Sequence, residues 1–349
     1  MRQRIFIAFS VVLVTAGLGL VMFVSSGPEL PTDTDAILDE VLAAEVPALV
    51  KGVTGKARSG DIDIWYETIG NLANPKATVL LIMGAAASAI AWPDYFFQPL
   101  IDAEYQVVRY DHRGLGMSDW MDDWDSEQPY TLEDMASDGI AVLDELGVTS
   151  AHIVGVSMGG MIGQRMAISH ADRVLSLTSI SSSGYFDDPE LSRGSTQFER
   201  DVLKLVLRYG LVPTERNQIR LVLGLEQLLK GDGNYETDVK LSAQATLYEL
   251  RRRNGFNPGV VEQHSAAALA SGSRYDELGG ISVPTLVVHG RSDPLVLPAH
   301  ADKYAPMIPG ARMLWVEGMG HLFAEAHAPQ ILDAIHRLLL VAEVQASSN

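Results

Sequence analysis

Residues 155–159 have the sequence Gly-Val-Ser-Met-Gly and carry the sharpest chemical signal in the chain. The pattern Gly-x-Ser-x-Gly is typical of a serine held on a tight turn between a strand and a helix. An apolar segment at 152–156 predicts the strand, and residues from 158 to about 170 predict the helix. The flanking glycines leave room for a strained turn that exposes the hydroxyl. Ser157 is therefore the candidate nucleophile.

A serine hydroxyl needs a base to remove its proton, and His321 is the best placed of the nine histidines. It lies in the glycine-rich segment 318–321, directly after a late predicted strand, where a loop reaches the carboxyl edge of a parallel sheet. Asp293 follows the predicted strand 285–289 in the same way, and its carboxylate would fix the tautomer of the base. The alternatives are a loop histidine at 321 and a simple turn residue before proline at 293.

The tetrahedral intermediate of acyl transfer also needs two main-chain donors for its oxyanion. The N–H of Met158, directly after the candidate nucleophile, is one candidate. The other is expected in the segment 84–87, Gly-Ala-Ala-Ala, after an early strand, and we assign it to Ala85. A plain tight turn is the alternative interpretation of that segment.

Short apolar strands alternate with helices through most of the chain and predict an α/β fold with a mostly parallel sheet. An antiparallel strand is expected at 62–66, and parallel strands at 78–83, 105–110, 152–156, 178–182, 285–289 and 313–316. Between about 185 and 275 only amphipathic helices are found, and they predict a helical cap inserted late in the sheet. The predicted organisation is a first segment of the α/β core at 59–184, a helical cap at 185–275 and a second core segment at 276–349.

The first 26 residues form a separate unit. Ile5–Val24 is a run of 20 uncharged residues preceded by Arg2 and Arg4, long enough to span a bilayer as a helix. The basic residues before the run and the acidic stretch after it predict a transmembrane anchor with an extracytoplasmic catalytic domain. The alternative is a signal peptide, cleaved to release a secreted protein. Residues 27–58 would be a linker with a helix near 35–50, lying on the membrane surface or packed on the domain behind it.

The composition of the chain argues against several partners, nucleophiles and cofactors. The 349 residues include 26 basic and 44 acidic side chains, and the net charge of −18 argues against nucleic acid as a partner. The absence of cysteine excludes thiol nucleophiles and cysteine-bound metals, and no metal-binding or nucleotide motif is present, so no cofactor is expected. Arg109, Asp111 and Arg113 predict an ion-pair network that braces a loop, with a phosphate site as the alternative interpretation.

Together these segments resemble the α/β-hydrolase superfamily over about residues 60–340, and most closely the capped bacterial serine esterases that include aclacinomycin methylesterase. The resemblance rests on five segments, at 81–84, 92–94, 109–113, 155–160 and 318–321. It implies Ser157, Asp293 and His321 as the triad and Ala85 and Met158 as the oxyanion hole. The histidine that usually precedes the oxyanion loop is replaced by Met83.

The function expected from these features is hydrolysis of a neutral or apolar carboxylic ester through an acyl-enzyme, with a small-molecule ester as substrate. Carbon–carbon bond hydrolysis, lactone opening and perhydrolysis on the same fold are the alternatives. A third interpretation is a non-catalytic binding protein on the hydrolase scaffold. The full set of catalytic residue types argues against it.

Overall fold

A single eight-stranded sheet forms the centre of the computed structural model, which describes residues 22–70, 73–192, 194, 196–233 and 235–346. The strand order is β1-β2-β4-β3-β5-β6-β7-β8, with β1 and β2 antiparallel and the remaining strands parallel. The strands are β1 Val53–Ser59, β2 Ile62–Ile69, β3 Thr78–Ile82, β4 Gln106–Tyr110, β5 Ala151–Val156, β6 Val174–Ile180, β7 Thr285–Gly290 and β8 Arg312–Val316. The predicted mostly parallel α/β fold is confirmed.

Helices cover both faces of this sheet. They are α1 Thr34–Ala43, α2 Asp94–Asp102, α3 Leu132–Glu145, α4 Met158–Ser169, α5 Thr196–Leu205, α6 Glu215–Leu229, α7 Val239–Arg252, α8 Val260–Ala270, α9 Tyr275–Leu278, α10 Pro298–Tyr304 and α11 Ala328–Ala346. One apolar cluster joins α3 and α4 to the first face, and a second joins α2 and α11 to the other. Burial on both faces explains why the central strands are continuous apolar runs.

Helices α5 to α8 lie between β6 and β7 in the chain, and we call residues 196–270 the cap. A π-helical turn, Val206–Gly210, continues α5. Helix α8 differs from the amphipathic helices that the sequence predicts for this region. In α8 the apolar and small residues surround the helix almost evenly, so it lacks the one-sided stripe that marks an amphipathic helix.

The sheet begins earlier than the predicted boundary at residue 59, because β1 occupies Val53–Ser59. Only Ala57 of this edge strand is buried, so its sequence shows no alternation of apolar and polar residues. Strand β6 likewise begins at Val174, four residues before the strand predicted from the apolar pattern.

Helix α1 packs against the cap. Leu38 and Val41 lie in an apolar cluster with Ile219 and Leu223 of α6 and Leu247 of α7. Three ion pairs flank this cluster, namely Asp35–Arg220, Asp39–Arg216 and Glu40–Lys240. Of the two arrangements expected for this helix, the structure therefore has the packed one, with the cap as the surface it covers.

The predicted membrane-length segment 1–26 lies outside the described residues except for 22–26. Across the ranges that the structure does describe, no helix has both the length and the apolar character required to cross a membrane.

Arg109, Asp111 and Arg113 form three separate ion pairs instead of one network. Arg113 pairs with Asp138 at 2.7 Å and Asp111 pairs with Arg253 of the cap. Each of the three residues thus forms an ion pair, and each partner lies outside the segment 109–113.

The pair formed by Arg109 and Glu67 is fully buried and joins the N-terminal segment to the sheet. The Arg109 Nη2 atom lies 2.7 Å from Glu67 Oε2 and donates to the carbonyl of Leu49. The other Glu67 oxygen accepts the main-chain N–H groups of Lys51 and Gly52. Strands β2 and β4 thereby hold the chain that follows α1.

We predict that Glu67→Gln lowers the free energy of unfolding by ~3–5 kcal/mol, because Arg109 would keep its charge in a buried site without a counter-charge. Urea unfolding followed by circular dichroism measures the change. Asp333→Asn is the matched control, since it removes the carboxylate of the exposed Asp333–Arg337 pair and should cost less than ~1 kcal/mol. Equal effects of the two substitutions would contradict the buried role of Glu67.

Candidate active site

Ser157 occupies a strained turn between β5 and α4. Its φ of +55° and ψ of −119° lie in a region that non-glycine residues rarely adopt. Its main-chain N–H donates to the carbonyl of Ile180 at 2.8 Å, and its own carbonyl accepts the Ser182 hydroxyl at 2.7 Å. Main-chain and side-chain bonds from β6 and the residues after it thus hold the turn, and the Ser157 side chain is half-buried.

Two glycines allow the main chain to approach this turn closely. A Cβ on Gly155 would overlap the carbonyl oxygen of Gly159, and a Cβ on Gly159 would overlap the carbonyl oxygen of Ile82 at the end of β3. The loop after β3 therefore passes directly beside the serine. A Cβ built on Gly84 would lie 3.2 Å from the Cβ of Ser157.

Asp293 and His321 are hydrogen-bonded to each other at the carboxyl edge of the sheet. The Asp293 Oδ2 atom lies 2.9 Å from His321 Nδ1, and both side chains are buried. The other carboxylate oxygen, Oδ1, accepts the N–H groups of Leu295 and Val296 at 2.9 Å each. The carboxylate can only accept, so Nδ1 carries the proton and the Nε2 lone pair of His321 is left to act as a base.

His289 stands behind this pair and was not assigned a role from the sequence. Its Nε2 atom is 3.4 Å from Asp293 Oδ2 and 2.7 Å from the carbonyl of Val296. Burial lowers the pKa of His289, so the ring is neutral at physiological pH and Nε2–H donates to that carbonyl. No local signal identifies such a residue, because β7 places it inside an ordinary apolar strand.

The cap covers the loops that carry the acid and the base. The N–H of His321 donates to the carbonyl of Leu229, the last residue of α6, at 2.7 Å. A Cβ on Gly320 would overlap the carbonyl oxygens of Leu229 and Lys230, and a Cβ on Gly231 would overlap that of Ser292. Main chain of the cap therefore lies directly on the segments on either side of the Asp293–His321 pair.

The hydroxyl of Ser157 makes no hydrogen bond with any residue that the structure describes, His321 included. Strand β6 separates β5, which carries Ser157, from β7, which carries Asp293. Nucleophile–base bonds are often long in substrate-free enzymes and shorten when substrate is bound. The structure thus joins two members of the predicted triad and places the third at the same edge of the sheet.

The N–H groups of Ala85 and Met158 are both free of acceptors among the described residues. Met158 is the first residue of α4, where the N–H has no acceptor within the helix. Ala85 follows Gly84, whose main chain lies close to Ser157. Two unpaired main-chain donors therefore flank the serine, which is the arrangement predicted for an oxyanion hole.

Metal ligands do not cluster in the described part of the chain, where no group of three or more His, Asp or Glu side chains comes close enough to hold an ion.

Comparison with known proteins shows which family the chain resembles. The profile of the alpha/beta hydrolase fold matches residues 77–328. Rhodomycin D methylesterase DnrP of Streptomyces peucetius is 32% identical over 283 residues, which cover 77% of this chain and 92% of that protein. Putative carbamate hydrolase RutD of Caulobacter sp. (strain K31) is 27% identical over 278 residues, 79% of this chain and 96% of that one.

Solved structures extend the likeness of fold. A bacterial membrane phospholipase A is similar with a TM-score of 0.60 and 22% identity, covering 98% of this chain and 99% of that chain. The esterase EaEST from Exiguobacterium antarcticum is similar with a TM-score of 0.65 and 22% identity, covering 83% of this chain and 99% of that chain. At these identities the likeness concerns the fold alone.

We predict that Asp293→Asn moves the ring proton of His321 from Nδ1 to Nε2. The two main-chain donors of Leu295 and Val296 will keep the amide oxygen on their side, so the amide NH₂ faces Nδ1, which must then accept. Nitrogen-15 spectra of the histidine rings measure the tautomer. Glu317→Gln, at an acidic residue four positions before His321, is the control and should leave Nδ1 protonated. A proton that stays on Nδ1 in Asp293→Asn would contradict this geometry.

Proposed function

The chain belongs to the alpha/beta hydrolase fold family, and from its site we propose that it is a carboxylic ester hydrolase with Ser157 as nucleophile. The observation that carries the proposal is the Asp293–His321 hydrogen bond at the sheet edge that also bears Ser157. The strained serine turn and the two free amides beside it supply the remaining parts. Methylesterase DnrP, at 32% identity over most of both chains, supports ester hydrolysis as the reaction.

In the proposed acylation step, the Ser157 oxygen attacks the ester carbonyl carbon while His321 Nε2 takes the hydroxyl proton. The carbonyl oxygen becomes an oxyanion that accepts from the N–H groups of Ala85 and Met158. The intermediate collapses when the carbon–oxygen bond to the alcohol breaks and His321 returns the proton to the departing oxygen. Water then repeats the sequence on the acyl-enzyme and releases the acid.

Asp293 stabilises the imidazolium that forms during both steps. It is held by two main-chain donors, so its carboxylate is oriented before substrate arrives. Because the Asp293 side chain is completely buried, its interaction with the positive ring is weakly screened by solvent. The His321 N–H bond to Leu229 fixes the base from its main-chain side.

We propose a neutral or apolar ester as the substrate, because the chain carries a net charge of −18, which opposes binding of anionic substrates. The methylesterase relatives support a small-molecule ester. Structures named meta-cleavage product hydrolase and bromoperoxidase share the fold at 21–22% identity, so carbon–carbon hydrolysis and perhydrolysis remain as competing outcomes for a substrate panel.

We expect a fluorophosphonate probe to modify Ser157 and no other residue, with loss of p-nitrophenyl ester hydrolysis in proportion to labelling. Peptide mass spectrometry locates the adduct. Ser157→Ala should remain unlabelled and lose at least ~10³-fold in kcat. Ser169→Ala, which removes a hydroxyl at the far end of α4, is the control and should still be labelled at Ser157. An active enzyme that yields no Ser157 adduct would overturn the proposal.

We also propose that residues 1–26 anchor the catalytic domain at the outer face of a membrane. The uncharged run Ile5–Val24 after two arginines supports an anchor. Where the described chain begins, Phe23 lies under the ammonium group of Lys204 of α5. Exposed apolar side chains occur within eight residues of Lys204 in sequence, namely Leu203, Val206, Leu211 and Val212. Exposed apolar groups of this kind suit contact with lipid.

The full-length chain should stay in the membrane fraction after an alkaline carbonate wash. Leu13→Asp combined with Leu18→Lys should release it, because each charge costs ~3 kcal/mol near the centre of a bilayer. Thr32→Lys, beyond the run, is the control and should remain bound. Terminal sequencing that finds a chain beginning after Ser26 would instead establish a cleaved signal peptide.

A further inference from the structure

Two buried histidines hold the loop that contains Ala85, which we define as residues 83–88 and call the oxyanion loop. The His112 Nε2 atom is 2.8 Å from the carbonyl of Met83, at the start of the loop. The His264 Nδ1 atom is 3.0 Å from the main-chain nitrogen of Ala86. The two rings meet edge to face with their centroids 5.5 Å apart. One of them, His264, belongs to cap helix α8.

The protonation state of His264 follows from its partners. Nδ1 faces a main-chain N–H and must accept, while Nε2 lies 3.1 Å from the carbonyl of Arg113 and must donate. Burial lowers the pKa of His264 to about 4, and the positive charge of Arg113 acts in the same direction, against the hydrogen bond to its carbonyl. The ring is therefore neutral at physiological pH, with its proton on Nε2.

The bond to Ala86 acts on a strained part of the loop. Ala86 has a φ of +57°, a left-handed conformation that costs energy in any residue with a side chain. On the other side of Ala85, the Gly84 carbonyl accepts the N–H of Ala87 at 3.4 Å. The Gly84–Ala85 peptide is trans, so the Ala85 N–H points away from that bond. Peptides on both sides of Ala85 are thus restrained while its own N–H stays free.

A second cap helix attaches to the same loop. Ser88 donates its hydroxyl to Glu249 of α7, and Ala89 donates its N–H to Asp111 at 2.9 Å. Asp111 in turn pairs with Arg253, directly after α7. The end of the loop is therefore tied to the cap through buried polar groups, whose partners would be costly to remove.

We propose that His264 is a positioning residue for the oxyanion hole, and that through it the cap orients the Ala85 N–H toward the developing oxyanion. The inference rests on the proposed ester hydrolysis and extends it to the cap. His264 touches no reacting atom. It acts by holding Ala86, so its loss should weaken transition-state stabilisation and leave ground-state binding of the ester largely unchanged.

Two amide substitutions separate the two hydrogen bonds of His264. In His264→Asn the side-chain oxygen replaces Nδ1 and can accept from Ala86. In His264→Gln the side-chain nitrogen replaces Nε2 and can donate to Arg113, but no acceptor remains for Ala86. We expect His264→Gln to lose ~10–100-fold in kcat with KM changed less than ~3-fold, and His264→Asn to retain most of kcat.

Binding of a trifluoromethyl ketone, which forms a tetrahedral oxyanion adduct with a serine enzyme, gives the independent measurement. Its inhibition constant should rise in His264→Gln by about the same factor as kcat falls, and stay near the wild-type value in His264→Asn. His336→Gln on α11 is the control for a histidine replaced outside this loop. Melting temperatures check that the variants are folded, and His264→Leu, which makes neither bond, replaces the glutamine variant if that fails to fold.

Equal kcat and equal inhibitor binding in His264→Gln and wild type would overturn the proposal, and so would equal losses in the glutamine and asparagine variants. A purely structural role for His264 would lower the melting temperature and leave both kinetic measurements unchanged. Failure of the proposed function is distinguishable, because wild-type protein would then neither hydrolyse esters nor be labelled at Ser157.

Discussion

The close approach of the end of β3 to the first turn of α4 is the constraint on which the rest of the site depends. Gly159 lies so near the carbonyl of Ile82 that no side chain fits between them. This contact puts the oxyanion loop beside Ser157 and brings the segments that carry two free amides, about 70 residues apart in sequence, close to each other. Close packing of the interior then transmits any change at this contact to the catalytic geometry.

The cap covers the site and also contacts the loops that carry its residues. It contacts the base loop through Leu229, the acid loop through Gly231 and the oxyanion loop through His264 and Glu249. Helix α1 packs on α6 and α7. Leu229 and Glu249 lie on these two helices, and Gly231 follows α6. The N-terminal segment, the cap and the three catalytic loops therefore form one continuous series of contacts, and a change in the seating of the cap would reach all three loops.

Local sequence patterns predict the fold, because strands and helices alternate along the chain. They also predict the positions of the candidate catalytic residues, because each of these residues follows a strand. The parallel sheet and the family are confirmed. The sequence also predicts that Asp293 and His321 each follow a late strand, and in the structure these two strands, β7 and β8, are adjacent. The contacts that support them are not local. His264 and Ala86 are 178 residues apart, and nothing in a helix of small and apolar residues indicates that its histidine reaches a loop after β3.

Two other features of the structure could not be predicted from local sequence patterns. Only one residue of strand β1 is buried, so its sequence lacks the alternation that marks a strand. Ion pairs were predicted for Arg109, Asp111 and Arg113, but the sequence did not identify their partners, which lie elsewhere in the fold. Periodicity reports which face of an element is apolar, but it carries no information on which distant charge lies opposite.

The acyl-enzyme on Ser157 is the central claim, and competition between water and methanol for that intermediate tests it most directly. Esters that share one acid and differ in their alcohol all give the same acyl-enzyme. At a fixed methanol concentration they must then yield the same ratio of methyl ester to free acid, whichever step limits the rate. A ratio that changes with the leaving alcohol would contradict a common covalent intermediate.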